Sequence, residues 1–183
     1  MERTGAVILA AGLSSRMHEF KPLLELGDST MIVRAIENLK IAGASPVIIV
    51  AGYKADQLMD YLWPLDIMFV RNENYASGQM FDSVKLGISR AADLCGRILI
   101  TPADVPLIGQ DTFKQVMECP GALVRPVCDG RPGHPVMVDS RLAPDICAYQ
   151  VLREPWRTWG CQSRKWRWRT PESTWMRIRP RII

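Results

Sequence analysis

The sequence lacks several features that would each define a class of protein. No apolar run in its 183 residues approaches the roughly 18 residues that a membrane-spanning helix needs. The amino terminus also lacks the basic region and cleavage pattern of a secretory signal. These absences predict a cytoplasmic protein with no membrane partner. The composition, 48% hydrophobic and 23% charged residues, is that of one globular domain with a sizeable core.

Cysteine and histidine are scarce and scattered. None of the five cysteines forms a C-x-x-C pair, which excludes the usual zinc-binding and disulfide-framework patterns and predicts free, buried thiols. With only two histidines, the chain offers no convincing Ser-His-Asp or Cys-His arrangement. The common phosphate-binding motifs G-x-G-x-x-G and G-x-x-x-x-G-K-[ST] are absent as well, so neither a dinucleotide fold nor a P-loop is predicted.

Apolar runs alternate with amphipathic segments over the first 140 residues. Strands are predicted at residues 6–10, 47–51, 67–70, 97–101, 122–127 and 136–138, and helices after Thr30 and at 55–62, 77–92 and 111–118. Strands that are apolar throughout, separated by helices, predict a single doubly wound α/β sheet, mostly parallel, with helices on both faces. Ligands bind such sheets beyond the carboxyl ends of the strands.

The first polar cluster follows the first predicted strand. Small residues there let backbone amides approach anionic oxygens, and hydroxyl and cationic side chains come next. Arg16 and Lys21 are suited to neutralising a phosphate tail. This segment predicts a polyphosphate-binding loop; the alternative is an ordinary surface turn. The other residues of the cluster are Leu9, Ala10, Ala11, Gly12, Ser14 and Ser15.

Three further clusters follow later strands. Asp104 comes after a buried strand and between two prolines, where it is either a Mg²⁺ ligand or a capping or turn aspartate. The loop 74–83, with Gly78 and Ser83, leads into a helix and predicts contact with a nucleotide or, alternatively, a simple cap. The turn at 128–135 holds His134 between glycines and prolines, as either a site residue or an exposed turn residue.

Together these clusters resemble a known family. The segments L-A-A-G-L-S-S-R-M, K-P-L-L, N-x3-G-x4-S, P-A-D-V-P and G-x-P-G-H-P occur in the order found in the MobA-like nucleotidyltransferases. Within that superfamily they are most similar to the molybdenum cofactor cytidylyltransferases. The resemblance covers residues 5–147 and implies a Rossmann-type fold like that of the nucleotide-diphospho-sugar transferases, with residues 1–147 as the catalytic domain.

The resemblance also implies an activity, its substrates and its site residues. The activity is transfer of CMP from CTP to a molybdopterin-type acceptor, with Mg²⁺ as cofactor and a molybdoenzyme as the partner that receives the product. Asp104 would hold the metal and act in catalysis with Arg16 and Lys21. The nucleotide would contact Leu9, Ala10, Ala11, Gly12, Ser14, Ser15, Gly78 and Ser83, and the acceptor would contact Gly133, His134 and Pro135.

The last segment, residues 148–183, departs from the family. Residues 1–150 carry 14 Lys and Arg against 17 Asp and Glu, whereas residues 151–183 carry 9 against 2, together with five of the six tryptophans. Back-translation of residues 175–183 in a shifted frame permits D-A-D-T-P-E-D-Y, a family ending whose aspartate supplies a second metal ligand. The segment is therefore interpreted as frameshifted from about residue 150, with impaired activity expected.

Two other functions stay open. The first is a nucleotidyltransferase that uses another nucleotide or another phosphorylated acceptor. The second is a non-catalytic protein that binds nucleotides or nucleic acids, with the basic tail as its functional part. Nucleic-acid binding would favour a basic face throughout, and the net negative charge of residues 1–150 argues against it.

Overall fold

A six-stranded sheet forms the centre of the molecule in the computed structural model. The structure describes residues 2–12, 20–127 and 131–149, together with the backbone of Cys128. Its strands are β1 (Thr4–Ala10), β2 (Glu25–Leu26), β3 (Ser29–Thr30), β4 (Val47–Ala51), β5 (Met68–Arg71), β6 (Arg97–Pro102), β7 (Leu123–Val124), β8 (Val127–Cys128), β9 (Arg131–Pro132) and β10 (Val136–Asp139). Its helices are α1 (Met31–Ile41), α2 (Ala55–Leu62), α3 (Met80–Ala92), α4 (Gln110–Glu118) and α5 (Ala143–Ala148).

The strands of the sheet lie in the order β5-β4-β1-β6-β10-β7. The four strands from β5 to β6 are parallel, and β10 runs antiparallel to both β6 and β7. The chain winds outward from β1 through β4 to β5 and then crosses to β6 on the other side of β1. The prediction of a doubly wound, mostly parallel sheet is confirmed, and the strand order reverses between β1 and β6.

Helices cover both faces of the sheet. Buried residues of α1, α2 and α4 pack on one face, and those of α3 and α5 pack on the other. The helical spacing of Ile32, Ala35, Ile36 and Leu39 places all four in the core. Gly43 follows α1 at φ +97°, a conformation that glycine adopts without steric cost, and this ends the helix as predicted.

Helix α3 begins three residues later than the predicted 77–92. The backbone amides of Ser77 and Gly78 both donate to the carbonyl of Asn74, so this segment forms a turn rather than the first turn of the helix. The amide of Gln79 then donates to the carboxylate of Asp82 at 2.7 Å, which satisfies a donor at the helix start. The polar loop that precedes α3 is therefore held in a fixed shape.

The antiparallel part of the sheet differs more from prediction. The single strand expected at 122–127 is two short strands, β7 and β8, separated by Arg125 and Pro126. Because proline has no amide proton to donate, Pro126 cannot continue the ladder. Strand β8 instead pairs with β9 in a separate hairpin. Strands β2, β3 and β9 and helix α5 were not predicted.

Among the residues that the structure describes, no helix combines the length and the apolarity needed to cross a membrane. The frameshift interpretation concerns residues from about 150 onward, and these lie outside the described part of the chain.

Candidate active site

A cleft of about 290 Å³ opens where the strand order reverses, beyond the carboxyl ends of β1 and β6. This is the position at which open α/β sheets bind ligands. The structure brings residues from three of the four predicted clusters together there. The predicted residues that line the cleft are Leu9, Ala10, Ala11, Gly12, Lys21, Gly78, Ser83 and Asp104.

The loops after β1 and β6 form adjoining walls of the cleft. The backbone amide of Ala103 donates to the carbonyl of Leu9 at 3.0 Å, which ties the start of one loop to the start of the other. Ala10 and Ala11 are buried, whereas Gly12 is exposed at the rim. Since these residues have little or no side chain, they leave backbone groups accessible to a ligand.

Gly52 allows a third loop to pack against the first. A Cβ atom at Gly52 would lie 2.9 Å from the carbonyl oxygen of Ala11 and 2.6 Å from the Cβ of Tyr75. Both contacts are closer than a real Cβ tolerates, so only glycine fits between these two residues of the cleft. The ring of Tyr53 lies between those of Phe20 and Tyr75, with centroid distances of 5.9 and 6.3 Å. Tyr75, at one end of this aromatic row, lines the cleft.

A buried hydrogen bond fixes the wall that α3 contributes. The side-chain amide of Asn72 donates to the hydroxyl of Ser83 at 2.9 Å, and its oxygen accepts from the backbone amide of Asn74 at 3.0 Å. Both Asn72 and Ser83 are buried. The hydroxyl of Ser83 therefore lies at the cleft and also holds α3 against the loop after β5.

Among the described residues that line the cleft, those with charged side chains are Lys21 and Asp104. Asp104 is exposed and forms no ion pair with any described residue, so its carboxylate is available to a ligand. Lys21 is half-buried beside Phe20, whose ring packs on Tyr53. The nearby carboxylate of Asp82 already accepts the Gln79 amide, which leaves Asp104 as the acidic residue that lines this cleft in the described part of the chain.

Three predicted residues of the first loop, Ser14, Ser15 and Arg16, lie outside the described residues. The cleft also contains residues that sequence reasoning missed. Tyr75 and Gln79 fall inside the polar loop that was singled out, so their neighbourhood was indicated although their contacts were not. Asn72, in contrast, follows β5 without any sequence signal. The remaining additions are Pro22, Met80, Pro102 and Ala103.

Gly133, His134 and Pro135 do not line the cleft, but they lie beside it. The register of β10 on β6 pairs Val136 with Ile100, which brings the turn before β10 next to the carboxyl end of β6. His134 is exposed, yet protein atoms around the imidazole desolvate it and lower its pKa. The carboxylate of Asp104 opposes this shift, and the charge of Arg125 adds to it.

Residues 6–160 match the MobA-like NTP transferase domain. The chain belongs to this family and is a nucleotidyltransferase. It is 30% identical over 158 residues to the molybdenum cofactor cytidylyltransferase of Escherichia coli K12, an alignment that covers 85% of this chain and 77% of the relative. The resemblance inferred from the sequence motifs is thereby confirmed.

Solved structures share the fold. A nucleotidyl transferase from Methanothermobacter thermautotroptrophicus superposes with a TM-score of 0.73 at 23% identity, covering 81% of this chain and 77% of that one. A Mycobacterium tuberculosis protein superposes with a TM-score of 0.76 at 18% identity, covering 90% and 87%. The manganese complex of that protein superposes with a TM-score of 0.73 at 16% identity, over the same shares of the two chains. At these identities the likeness concerns the fold.

Proposed function

We propose that this nucleotidyltransferase transfers CMP from CTP to a molybdopterin-type acceptor in the presence of Mg²⁺. The observation that carries the proposal is the cleft itself, in which the loops after β1 and β6 and the start of α3 bring together Lys21, Ser83 and Asp104. The 30% identity to a molybdenum cofactor cytidylyltransferase favours this nucleotide and this acceptor over others.

The nucleotide would lie along the loop after β1. Backbone amides near Ala11 and Gly12 would approach its phosphates, and Lys21 would neutralise their charge, with Ser14, Ser15 and Arg16 contributing from the same loop. Gly78 and Ser83 would line the pocket on the α3 side. Because a Cβ at Gly78 would lie 2.8 Å from the carbonyl oxygen of Asn74, this position needs glycine to keep the loop closed.

Asp104 fits a magnesium ion bound together with phosphates. Mg²⁺ is usually held in proteins by one or two carboxylates and completes its coordination with substrate phosphates and water. The Asp104 carboxylate is exposed at the cleft and free of ion pairs with the described residues. When bound, the ion would withdraw charge from phosphate oxygens.

The reaction requires positioning and charge neutralisation rather than a strong base. A phosphate oxygen of the acceptor forms a bond to the α-phosphorus of CTP, while the bond between the α- and β-phosphates breaks and pyrophosphate leaves with the electron pair. Because a phosphate monoester is largely dianionic above its second pKa of about 6, no residue needs to remove a proton from it. Lys21 and Arg16 would stabilise the charge that moves to the leaving group.

The acceptor would enter from the side of β10, where Gly133, His134 and Pro135 border the cleft. The lowered pKa of His134 favours the neutral imidazole near pH 7, so His134 would act as a hydrogen-bonding group rather than as a cation. From its position next to the carboxyl end of β6, His134 would hold the acceptor near Asp104 and the nucleotide.

Calorimetry with CTP, CMP and GTP tests the nucleotide part of this proposal. With Mg²⁺, CTP should bind more tightly than CMP by about tenfold or more, because most of the proposed contacts go to the β- and γ-phosphates. Equal affinities for CTP and CMP would contradict the phosphate-loop assignment. Tighter binding of GTP than of CTP would contradict only the choice of nucleotide. CMP transfer is measured as the pyrophosphate that the enzyme releases from CTP when molybdopterin is added. The control is the pyrophosphate released from CTP without molybdopterin.

A further inference from the structure

Arg125 directly follows β7, the strand that pairs with β10 at the edge of the sheet. Strand β10 pairs Val136 with Ile100 of β6 and Met137 with Val124 of β7. Both β6 and β7 therefore run antiparallel to β10 and end at the same edge of the sheet, with Arg125 as the residue that follows β7. The cleft opens at this edge, between the loops after β1 and β6 and the start of α3.

The guanidinium of Arg125 differs from that of Arg97, a half-buried arginine of β6. Arg97 donates to the backbone carbonyls of Met117, Cys119 and Gly121, so its hydrogen-bonding groups are used within the fold. The Nε of Arg125 is buried and has no hydrogen-bond partner in the described part of the chain. None of the ion pairs among those residues involves Arg125 either. A buried donor without a partner is costly unless a ligand satisfies it.

The residue that follows Arg125 is hydrogen-bonded to the turn that contains His134. The amide of Gly133 donates to the carbonyl of Pro126 at 2.9 Å, which holds the turn containing His134 against the residue that follows Arg125. Both the Arg125 guanidinium and the Asp104 carboxylate act electrostatically on the His134 imidazole. Arg125 and the proposed metal ligand, Asp104, are thus both close enough to His134 to act on its charge.

We propose that Arg125 binds the phosphate group of the acceptor and, beside His134, holds it for attack on the α-phosphorus of the nucleotide. The inference rests on the proposed function and assigns a residue that binds the phosphate of its acceptor. Arginine is the side chain best matched to phosphate, because its planar fork donates two parallel hydrogen bonds to two oxygens. Strand β7 lies two strands from β6, so the backbone at the end of β7 is about 10 Å from the end of β6.

Arg125 takes no proton from the acceptor in this arrangement. The acceptor oxygen forms its bond to the α-phosphorus, and pyrophosphate leaves as described above. The guanidinium keeps its charge throughout and offsets the repulsion between the acceptor phosphate and the phosphates of the nucleotide. Arg125 is therefore expected to affect binding of the acceptor more than binding of the nucleotide.

The test compares Arg125→Gln, Arg125→Lys and the control Arg90→Gln in steady-state CMP transfer. Arg90 is exposed in the last turn of α3, so Arg90→Gln removes the same charge at a position away from the cleft. Arg125→Gln should raise the KM for molybdopterin about 10- to 100-fold, as expected on losing a charged hydrogen bond. Its KM for CTP should stay within about twofold of the wild-type value. Arg125→Lys should recover part of the loss, and Arg90→Gln should change neither KM.

Two results would overturn the inference: an unchanged KM for molybdopterin in both Arg125 variants, or a rise confined to the KM for CTP. If Arg125→Gln lowers the melting temperature of the protein, the test uses Arg125→Lys instead, provided that this variant melts at the wild-type temperature. A raised KM for molybdopterin in Arg125→Lys then supports the inference, and an unchanged KM rejects it. Calorimetry with inorganic phosphate separates this inference from the proposed function. If Arg125→Gln binds inorganic phosphate more weakly than the wild type does, but the wild type transfers no CMP, the proposed function is rejected and the role of Arg125 in phosphate binding is retained.

Discussion

The parallel half of the sheet, from β5 to β6, and the antiparallel half, β10 and β7, form the two sides of the site in different ways. On the parallel side the cleft is walled by small residues and by loops that main-chain hydrogen bonds tie together, such as the bond from Ala103 to Leu9. On the antiparallel side the connections between short strands carry a long side chain, that of Arg125, and a ring-bearing one, that of His134.

This difference matches what each side has to bind. All nucleoside triphosphates have the same triphosphate group, and backbone amides in fixed positions are suited to binding it. Acceptors differ in size and shape, and side chains on a turn can change without disturbing the sheet. The comparison predicts that substitutions in the parallel half impair nucleotide binding and catalysis together, whereas those in the antiparallel half act on the acceptor.

The largest effect is expected at Asp104, in the parallel half. Asp104→Asn should lower the rate of CMP transfer about 10²- to 10³-fold, the typical loss on removing one electrostatic stabiliser of a transition state. It should also remove most of the Mg²⁺ dependence of CTP binding. Because Asp104 is exposed and unpaired within the described residues, its melting temperature should not change.

The matched control for this substitution is Asp60→Asn, at an exposed position on α2. It removes the same charge and should leave both the rate and the Mg²⁺ dependence at wild-type values. Unchanged Mg²⁺ dependence in Asp104→Asn would mean that Asp104 is only a turn residue and that the metal does not bind at this position in the parallel half.

A smaller effect is expected at Lys21. Lys21→Gln should weaken binding of CTP about 10- to 100-fold, as expected for loss of one charged hydrogen bond to phosphate, and should weaken binding of CMP much less. The exposed Lys114 on α4 provides the control, Lys114→Gln. Equal losses for CTP and CMP, measured by calorimetry, would place Lys21 away from the β- and γ-phosphates.

The sequence predicted the parallel half better than the antiparallel half for a physical reason. Strand β4 and helix α2 have the predicted bounds, because a strand buried on both faces is apolar throughout and a covering helix shows a clear apolar stripe. The segment 122–127 is short and contains Pro126, so its pattern did not reveal that it divides between two sheets. Short strands depend on tertiary contacts that no local pattern contains.

The site shows the same limit. The clusters after β1 and β6 could be predicted because parallel strands end at one edge, so loops far apart in sequence must meet there. The buried bond from Asn72 to Ser83 could not, since it requires the packing of α3 against the end of β5. Arg125 could not be singled out either, because its unsatisfied Nε becomes visible only once its neighbours are placed.

Substitution of Gly52 tests whether the loops on the parallel side of the cleft must stay in their present positions. Gly52→Ala introduces a Cβ 2.6 Å from that of Tyr75, so Tyr75 or the loop carrying Ala11 has to move. Overpacking of this kind costs about 1–3 kcal/mol of stability, and the movement should raise the KM for CTP several-fold. Gly12→Ala is the control for stability, since an added Cβ there meets no atom of the described residues. A wild-type KM for CTP in Gly52→Ala would show that the cleft adapts, contrary to the comparison.

The smallest effect is expected from the titration of His134, on the antiparallel side. Desolvation lowers the pKa of this imidazole below its usual value of about 6.5, with Asp104 acting in the opposite direction. The unfolded chain therefore binds the proton more readily than the folded one, so the free energy of unfolding should fall as the pH drops below about 6.5 toward the folded-state pKa. Above about pH 7.5 His134 is almost wholly neutral in both states and contributes little such dependence.

The measurement for His134 is the melting temperature of the wild type minus that of His134→Gln between pH 5 and 8, which cancels the titration of groups that both proteins share. The difference should change little from about pH 7.5 to 8 and shift against the wild type below about pH 6.5. A shift in favour of the wild type would mean that Asp104 outweighs desolvation and that His134 is a cation, in which case the acceptor would meet two positive charges on this side instead of one.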